Sequence, residues 1–433
     1  MEKTNDTFFV KNTESFKNKM LNWVNRFNIF CLLDNNQYEF EKATYECILA
    51  AGAAKFIELK QPKVFSELKK FSIENPGWLF GHFNYPSTDK NDIDFPDAYF
   101  FVPEILIKLS QNSICINSDK ISPEVIFAEI ENQSDNIQQQ QSTKINIQNR
   151  IDEAEYVEKI AALKKHIQRG DCYEINFCQE FFSLNAQVDP SFLYHQLKTI
   201  SPNPFSAFYK LEDKFCMCAS PERFLKKTGN KIISQPIKGT SKRSPANKIK
   251  DEASKSYLIN SEKEKSENVM IVDLVRNDMS RFCKEASVKV TELFGIYSFP
   301  QVHQMISTIE GLVDEDIHWT KIIESCYPMG SMTGAPKIRV MELIEKYESG
   351  SRGLFSGSIG YVSPDGDFDF NVVIRSLFYN ETKKLLSFNA GGGITFYSEA
   401  SQEYQESLIK ASAIKNVLET SAKSGFNDLL PVN

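Results

Sequence analysis

The chain has 433 residues, of which 41% are hydrophobic and 25% are charged, and its formal net charge is −7. This composition is typical of a soluble globular protein with two or three domains or one large one, and the negative balance argues against a broad nucleic-acid surface. The N-terminal segment MEKTNDTFFVKN has no apolar stretch of the kind that marks a secretory signal, and no apolar run reaches the ~20 residues of a membrane span. The nine scattered cysteines include no CxxC pair, so we expect reduced thiols, a cytoplasmic location and no membrane partner.

One shift in composition divides the chain. Residues 129–150 are rich in Gln, Asn and Ser and contain neither Gly nor Pro. Such a stretch is typical of an exposed, poorly ordered connection. We therefore predict an N-terminal region over 1–128, a linker over 129–150, a catalytic domain over 151–420 that is interleaved with the N-terminal region, and a tail over 421–433.

The first predicted element after the linker is an amphipathic helix, because apolar residues recur at spacings of 4, 3 and 4. These residues are Tyr156, Ile160, Leu163 and Ile167, and Gly170 is well placed to end the helix. A strand-like run follows at 172–182, and further strands are predicted around 214–237.

Three more helices are predicted, over 266–282, from Pro336 to Gly350, and over about 402–420. In the second of them, the apolar residues Ile338, Met341 (or Val340), Leu343 and Ile344 follow Pro336. Between the last two helices, residues 353–396 alternate strand-like runs with turns, which favours an antiparallel meander. Because strands and helices mix without regular alternation, the sequence predicts layered α+β architecture.

Two carboxylates near the C-terminus suggest a metal site. Glu403 and Glu406 are three residues apart and share a helix face. Mg²⁺ accepts one or two carboxylates together with water and substrate oxygens. Lys410 lies one turn further on, where it could meet an anion beside the metal. A solvated acidic face explains the same spacing.

Three consecutive glycines, Gly391, Gly392 and Gly393, are expected to lie between a strand and the last helix. Glycine lets backbone N–H groups approach a carboxylate or a phosphate closely. A tight turn is the alternative.

Two further charged residues have unusual settings. Glu267 begins an apolar helical stretch and could add a third carboxylate to the metal, although the polar face of a helix is an alternative. Arg375 is the single charge in an apolar run, and a buried arginine is best satisfied by a bidentate carboxylate. That carboxylate could belong to a substrate or to an internal ion pair.

An acid and an amine complete the set. Glu222 stands between a proline and an aromatic segment, where partly apolar surroundings would raise its pKa and let it donate a proton to a leaving group. A surface pair with Arg223 is the alternative. Lys238 follows Pro236 and Ile237, a setting that suits an amine nucleophile better than a solvated lysine.

Eight motifs in this order resemble the chorismate-utilising enzymes, over roughly residues 155–415. They are GDCYEINFCQ (170–179), SPERF (220–224), QPIKGT (235–240), SENVMIVDLVRND (266–278), GSMTGAPK (330–337), RGLFSGSIGYV (352–362), FNVVIRS (370–376) and AGGGITFYSEASQEYQES (390–407). The resemblance implies a two-layer α/β sandwich with mostly antiparallel sheets, helices outside and the active site between the layers.

The resemblance also implies roles for individual residues. It makes Glu222 the general acid for a departing C4 hydroxyl. Mg²⁺ would be bound by three glutamates, Glu267, Glu403 and Glu406. Chorismate would be bound by Thr240, Tyr361, Arg375, Gly391, Gly392, Gly393 and Lys410.

Lys238 separates branches of this family. The anthranilate, isochorismate and salicylate synthases usually have alanine before Gly-Thr, whereas a lysine there resembles the aminodeoxychorismate synthase branch, also known as para-aminobenzoate synthase component I. The resemblance implies that the amine adds at C2 of chorismate and expels the C4 hydroxyl, after which ammonia adds at C4 and releases the lysine. The amine must be neutral, and we expect burial beside Mg²⁺ to favour that form.

Two consequences concern partners and alternatives. The chain has no G-x-C-x-G motif for releasing ammonia from glutamine, so we expect a separate glutamine amidotransferase subunit. Anthranilate synthase component I is the alternative function, and a non-catalytic chorismate-binding scaffold subunit is a more distant one. Glu174 stands where the ammonia-using branch commonly has Gln and the water-using enzymes have Lys, and the resemblance gives it no role.

Overall fold

The computed structural model describes residues 4–38, 45–137, 145–300 and 302–424. Within these ranges every strand pairing is antiparallel, and the strands form one continuous network. Helices cover the strands. The predicted antiparallel α+β class is therefore confirmed.

The strands of the described residues are β1 (Thr4–Phe9), β2 (Ile29–Asp34), β3 (Cys47–Leu59), β4 (Leu79–Phe83), β5 (Ala98–Ser110), β6 (Ser113–Ser118), β7 (Gln148–Asn149), β8 (Glu174–Ser183), β9 (Phe205–Leu211), β10 (Lys214–Ser220), β11 (Arg223–Thr228), β12 (Lys231–Gln235), β13 (Ile237–Lys242), β14 (Lys289–Ser298), β15 (Val302–Leu312), β16 (Gly334–Ala335), β17 (Ser358–Val362), β18 (Phe368–Asn371), β19 (Ser376–Asn380) and β20 (Leu385–Ile394). The α-helices of the same residues are α1 (Thr13–Val24), α2 (Val64–Glu74), α3 (Pro123–Glu131), α4 (Glu153–Gln168), α5 (Pro190–Ile200), α6 (Lys248–Asn260), α7 (Glu262–Ser280), α8 (Trp319–Cys326), α9 (Lys337–Tyr347) and α10 (Ala400–Ser424).

The long strand β5 joins two layers of sheet. Its first half pairs with β4, its second half pairs with β6, and β3 runs along most of its length. From β5, one layer continues through β3, β2, β9, β10, β19, β20 and β8. The other continues through β4, β17, β18, β11, β12 and β15, and β13 and β14 also pair with β15.

The first layer is buried on both faces. Cys31 of β2 packs in a core that also contains Phe80 and Phe370 of the second layer. Its neighbours Phe30 and Leu32 pack in a second core with the helices α1, α3, α5 and α10. Alternate side chains of a strand point to opposite faces, so a strand covered on both sides is apolar throughout. This explains why the sequence of this layer shows long apolar runs.

Most of the predicted helices are confirmed. The helix through Tyr156 is α4, and Gly170 just beyond its end adopts φ +82°, the left-handed conformation that favours glycine. The helix after Pro336 ends at Tyr347 rather than at Gly350. Its buried face is formed by Val340, Leu343 and Ile344, which were among the apolar residues named from the sequence, whereas Ile338 is 78% exposed.

The linker is shorter than its composition indicates. Residues 129–131 complete α3, and Gln148–Asn149 pairs with β8 as β7. Residues 138–144 of the predicted linker and 425–433 of the predicted tail lie outside the described residues, and the first residues of that tail extend α10. Because β2 pairs with β9, the N-terminal region shares a sheet with the remainder of the chain.

Two expectations drawn from composition can be compared with the structure. None of the nine cysteines forms a disulfide in the described part of the chain, as expected. Among the helices that the structure describes, none combines the length and the apolar character needed to cross a bilayer.

Candidate active site

Lys238 lies on β13 with its side chain buried. Its Nζ donates to Oε1 of Glu174 on β8 at 2.5 Å, and the two residues are 8% and 1% exposed. The strand is bulged between Ile237 and Thr240, and Gly239 adopts φ +94°. This irregular backbone interrupts the pairing of β13 with β15 at the position of Lys238.

The charge state of this amine depends on the carboxylates around it. Burial lowers the pKa of Lys238, but the carboxylates of Glu174 and Glu267 outweigh it, so the pKa lies above its ordinary value. The resting side chain is therefore an ammonium ion. The sequence did not reveal the carboxylate of Glu174 on the neighbouring strand, and the neutral amine expected beside Mg²⁺ stays a prediction.

Glu222 precedes β11 and is 4% exposed. Its backbone N–H donates to Oγ of Ser220 at 3.1 Å. Burial raises the pKa of Glu222 to about 7, although Ser331 and Lys238 act in the opposite direction. The expected rise is confirmed, and the alternative of a surface pair is wrong because Arg223 pairs with Asp369 at 3.0 Å.

Glu267 faces the same region from α7. It is buried, its Oε1 has no hydrogen-bond partner within the described ranges, and burial raises its pKa to about 7. The neighbouring Asn268 donates to the backbone oxygen of Lys238 at 3.5 Å and accepts from Oγ of Ser307 at 2.6 Å. These bonds connect α7 to β13 and β15.

Helix α10 contributes the other two predicted metal ligands. Glu403 is buried and Glu406 is exposed, so the solvated-face alternative holds for only one of them. Nζ of Lys263 lies 3.9 Å from Oε1 of Glu267 and 3.9 Å from Oε1 of Glu403. Nζ of Lys410 lies 2.8 Å from Oε1 of Glu406. The two lysines thus offset part of the negative charge of the three glutamates.

The carboxylate oxygens of these three glutamates are suitable ligands for a hard cation. In the part of the chain that the structure describes, no three metal-ligating side chains lie close enough to form a complete site. However, Glu267 has an orphaned buried oxygen, and the Lys263 ammonium group lies between two buried carboxylates. Carboxylate oxygens are the ligands that Mg²⁺ prefers, so the residues fit this ion if Lys263 moves aside.

The three glycines do not form a loop. They lie within β20 and pair with Cys178, Phe177 and Asn176 of β8, so their predicted place between a strand and a helix is wrong. A Cβ on Gly392 would lie 3.5 Å from both Glu403 Oε2 and Lys410 Nζ. A Cβ on Gly393 would lie 2.6 Å from Glu174 Oε1 and 3.0 Å from Lys238 Nζ. Glycine at these positions lets charged side chains approach the strand.

Arg375 lies between β18 and β19, half-buried and with φ +52°. Among the described residues, no carboxylate lies within 4.0 Å of the Arg375 guanidinium group, which is the limit for an ion pair. The alternative of an internal ion pair is therefore not found. Burial lowers the pKa of Arg375, and the charge of Glu222 opposes this. A half-buried guanidinium group beside Glu222 remains available to an anionic ligand.

Tyr361 and Thr240, two predicted substrate ligands, have different settings from the buried cluster. Tyr361 lines a separate cavity of about 70 Å³ with Asp34 and Asp369, and its ring is 5.6 Å from that of Trp78. None of the other predicted site residues lines this cavity. Thr240 is exposed, and its backbone lies opposite Gln304.

A buried ion pair positions β8 and was not predicted. Arg352 donates to Oε1 of Glu348 at 2.6 Å and to the backbone oxygen of Asn176 at 2.8 Å. Oε1 of Glu348 also accepts from the N–H of Cys178 at 2.8 Å. The four-residue spacing of Glu348 and Arg352 is the signal that could have indicated this pair.

Comparison with known proteins identifies the family of this chain. The model of the chorismate binding enzyme family matches residues 24–416. The chain belongs to the chorismate-binding enzyme family. An aminodeoxychorismate synthase component 1 from Klebsiella aerogenes is 39% identical over 266 residues, which are 61% of this chain and 58% of that protein. An anthranilate synthase component I-like protein from Synechocystis is 31% identical over 338 residues, 77% of this chain and 69% of that protein.

The family fold is also seen in a solved structure. The menaquinone-specific isochorismate synthase of Escherichia coli superposes with a TM-score of 0.79 at 15% identity, covering 96% of this chain and 94% of that chain. This similarity confirms the two-layer architecture. The matches to the component 1 relatives from Klebsiella aerogenes and Escherichia coli span 58% and 59% of those proteins.

Proposed function

We propose that this chain converts chorismate and ammonia into 4-amino-4-deoxychorismate, for 4-aminobenzoate and folate synthesis. The observation that carries the proposal is the buried amine of Lys238, which lies in a cluster with the acid Glu222 and the glutamates Glu174 and Glu267. A buried lysine is costly unless it is paired, and a paired lysine beside a protonatable acid can serve as a nucleophile. The relative from Klebsiella aerogenes named aminodeoxychorismate synthase component 1 supports the same activity.

In the first step, the neutral amine of Lys238 adds to C2 of chorismate. The two ring double bonds shift by one position, and the bond between C4 and its hydroxyl oxygen breaks. Glu222 supplies the proton that lets the hydroxyl leave as water. Its pKa of about 7 keeps a large protonated fraction near neutral pH.

In the second step, ammonia adds to C4 and the double bonds shift back. The bond between C2 and the lysine nitrogen breaks, and Lys238 leaves as a neutral amine. Glu222 recovers its proton from the new ammonium group at C4. The net reaction exchanges the hydroxyl for an amino group and releases water.

The substrate carboxylates would be held by positive groups around the cluster. Arg375 is suited to one of them, because it has no ion pair of its own in the described ranges. We propose that Glu267, Glu403 and Glu406 bind Mg²⁺, with Lys410 beside them. When bound, the ion supplies positive charge that neutralises a substrate carboxylate.

Ammonia would come from a separate glutamine amidotransferase. Free ammonia is mostly protonated near pH 7 and is then not a nucleophile, so a partner that releases it at the site is needed. The component 1 designation of the relatives supports a two-component assembly.

The test is product identification with the purified chain, chorismate, Mg²⁺ and ammonium chloride at pH 8.5. The expected product is 4-amino-4-deoxychorismate, and Lys238→Ala should abolish it. Fluorescent anthranilate as the main product would replace the proposal with anthranilate synthase activity. No consumption of chorismate would favour a scaffold subunit.

A further inference from the structure

The mechanism leaves one proton unassigned. Lys238 is an ammonium ion in the resting chain, and an ammonium ion cannot attack C2. Within the described residues, Glu174 is the one carboxylate that lies within 4.0 Å of its Nζ. A group that accepts this proton must be in contact with the amine, so the geometry singles out Glu174.

The position of Glu174 suits a proton acceptor. The carboxylate is almost fully buried, and its Oε2 has no hydrogen-bond partner in the part of the chain that the structure describes. A buried carboxylate with few donors is held charged mainly by its ion pair. Moving one proton from Lys238 to Glu174 removes two buried charges at once, which offsets the cost of separating the pair.

We propose that Glu174 is the proton acceptor that activates Lys238, an inference that rests on the proposed function. Glu174 takes a proton from the Lys238 ammonium group when chorismate binds, and the freed lone pair forms the bond to C2. The proton stays on Glu174 while the adduct exists. It returns to the amine when ammonia displaces Lys238 from the ring, so the ion pair is restored after each turnover.

The other charged groups near this amine have different settings. They are Glu222 before β11, Glu264 and Glu267 on α7, and Glu406 on α10. Glu222 must be protonated to serve as the acid, and Glu267 and Glu406 face the lysines of the proposed metal site. Glu264 lies against Gly239, where a Cβ would be 3.1 Å from its Oε2.

The test compares Glu174→Gln with the wild-type chain. Glutamine keeps the shape and the hydrogen-bond acceptor but cannot accept the proton. The protein is incubated with chorismate and Mg²⁺ but without ammonia. Samples are quenched, and the mass of the intact protein is measured by mass spectrometry. The adduct on Lys238 should form at least ~10²-fold more slowly in the variant. Glu174→Asp retains a carboxylate and should recover part of the rate.

A second readout does not depend on chorismate. Lys238 is labelled with acetic anhydride at pH 7.5 and the site is quantified by peptide mass spectrometry. No chorismate is bound in this assay, so the proton of Lys238 can pass to the buffer without Glu174. Removing the counter-ion then favours the neutral amine, and Glu174→Gln should label faster than the wild type. Slower adduct formation combined with faster labelling distinguishes a proton acceptor from a merely structural partner.

The matched control is Glu180→Gln, which removes another ion pair of β8, to Arg150, away from the site. It should change neither readout. An unchanged adduct rate in Glu174→Gln would overturn the proton-acceptor role. A labelling rate in Glu174→Gln equal to that of the wild type would overturn the ion pair between Lys238 and Glu174. A wild-type chain that makes product without any adduct would overturn the covalent function, while the labelling still measures the pairing separately.

Discussion

Replacing Glu222 with glutamine should lower activity and raise stability above pH 7. Burial raises the pKa of this carboxyl from 4.5 to about 7 in the folded chain. Between these two values the folded state retains a proton that the unfolded state has lost. The free energy of unfolding therefore decreases as the pH rises from 4.5 toward 7, and the loss is complete above pH 7.

The size of the effect follows from the same shift. The pKa of Glu222 differs by ~2.5 units between the folded and unfolded states, and each unit is worth about 1.4 kcal/mol. The free energy of unfolding is therefore lowered by about 3 kcal/mol at pH 8 and by less than about 1 kcal/mol at pH 5. Glutamine carries no charge and avoids this cost. At ~2.1 cal/mol/K per residue, a chain of this length should gain roughly 3 °C in Tm at pH 8.

Activity should change in the opposite direction. Glutamine cannot donate a proton to the leaving hydroxyl, so the rate of 4-amino-4-deoxychorismate formation should fall by ~10²- to 10⁴-fold. The wild-type rate should itself fall about tenfold per pH unit above pH 7, as Glu222 loses its proton.

The assay combines thermal unfolding at pH 5 and pH 8 with chromatographic measurement of product. Glu74→Gln, an exposed substitution at the end of α2, is the control and should alter neither quantity. A Glu222→Gln chain that is less stable at pH 8, or that remains fully active, would refute the assignment of a buried, protonated acid.

Three further outcomes follow from the geometry. Gly393→Ala should slow adduct formation by ~10²-fold, because its Cβ would displace the Glu174 carboxylate; quenched mass spectrometry measures this, and a wild-type rate contradicts it. Arg352→Ala should lower the free energy of unfolding by ~3–5 kcal/mol, since it leaves Glu348 buried without its partner, and urea titration measures the loss. Tyr361→Phe should leave the KM for chorismate within about twofold of wild type, because this residue lines a different cavity; a large change in steady-state kinetics would return it to the site.

The sequence by itself determined the fold and most of the cluster. Eight ordered motifs identified the antiparallel architecture, and they placed Lys238, Glu222, Glu267 and Glu403 in one region. For some of these residues, the neighbours in the sequence were also sufficient to predict the environment of the side chain. The proline and aromatic neighbours of Glu222 predicted a buried acid with a raised pKa, which the structure confirms.

Only the tertiary structure decided the charge of the nucleophile and the membership of the site. The pKa of Lys238 depends on the carboxylate of Glu174, which is 64 residues away along the chain and 2.5 Å away in space. Tyr361 belongs to a motif of the family, but pairing between strands places it in another cavity. Electrostatic shifts and cavity walls arise from contacts between distant segments, and residue spacing within a motif does not encode those contacts.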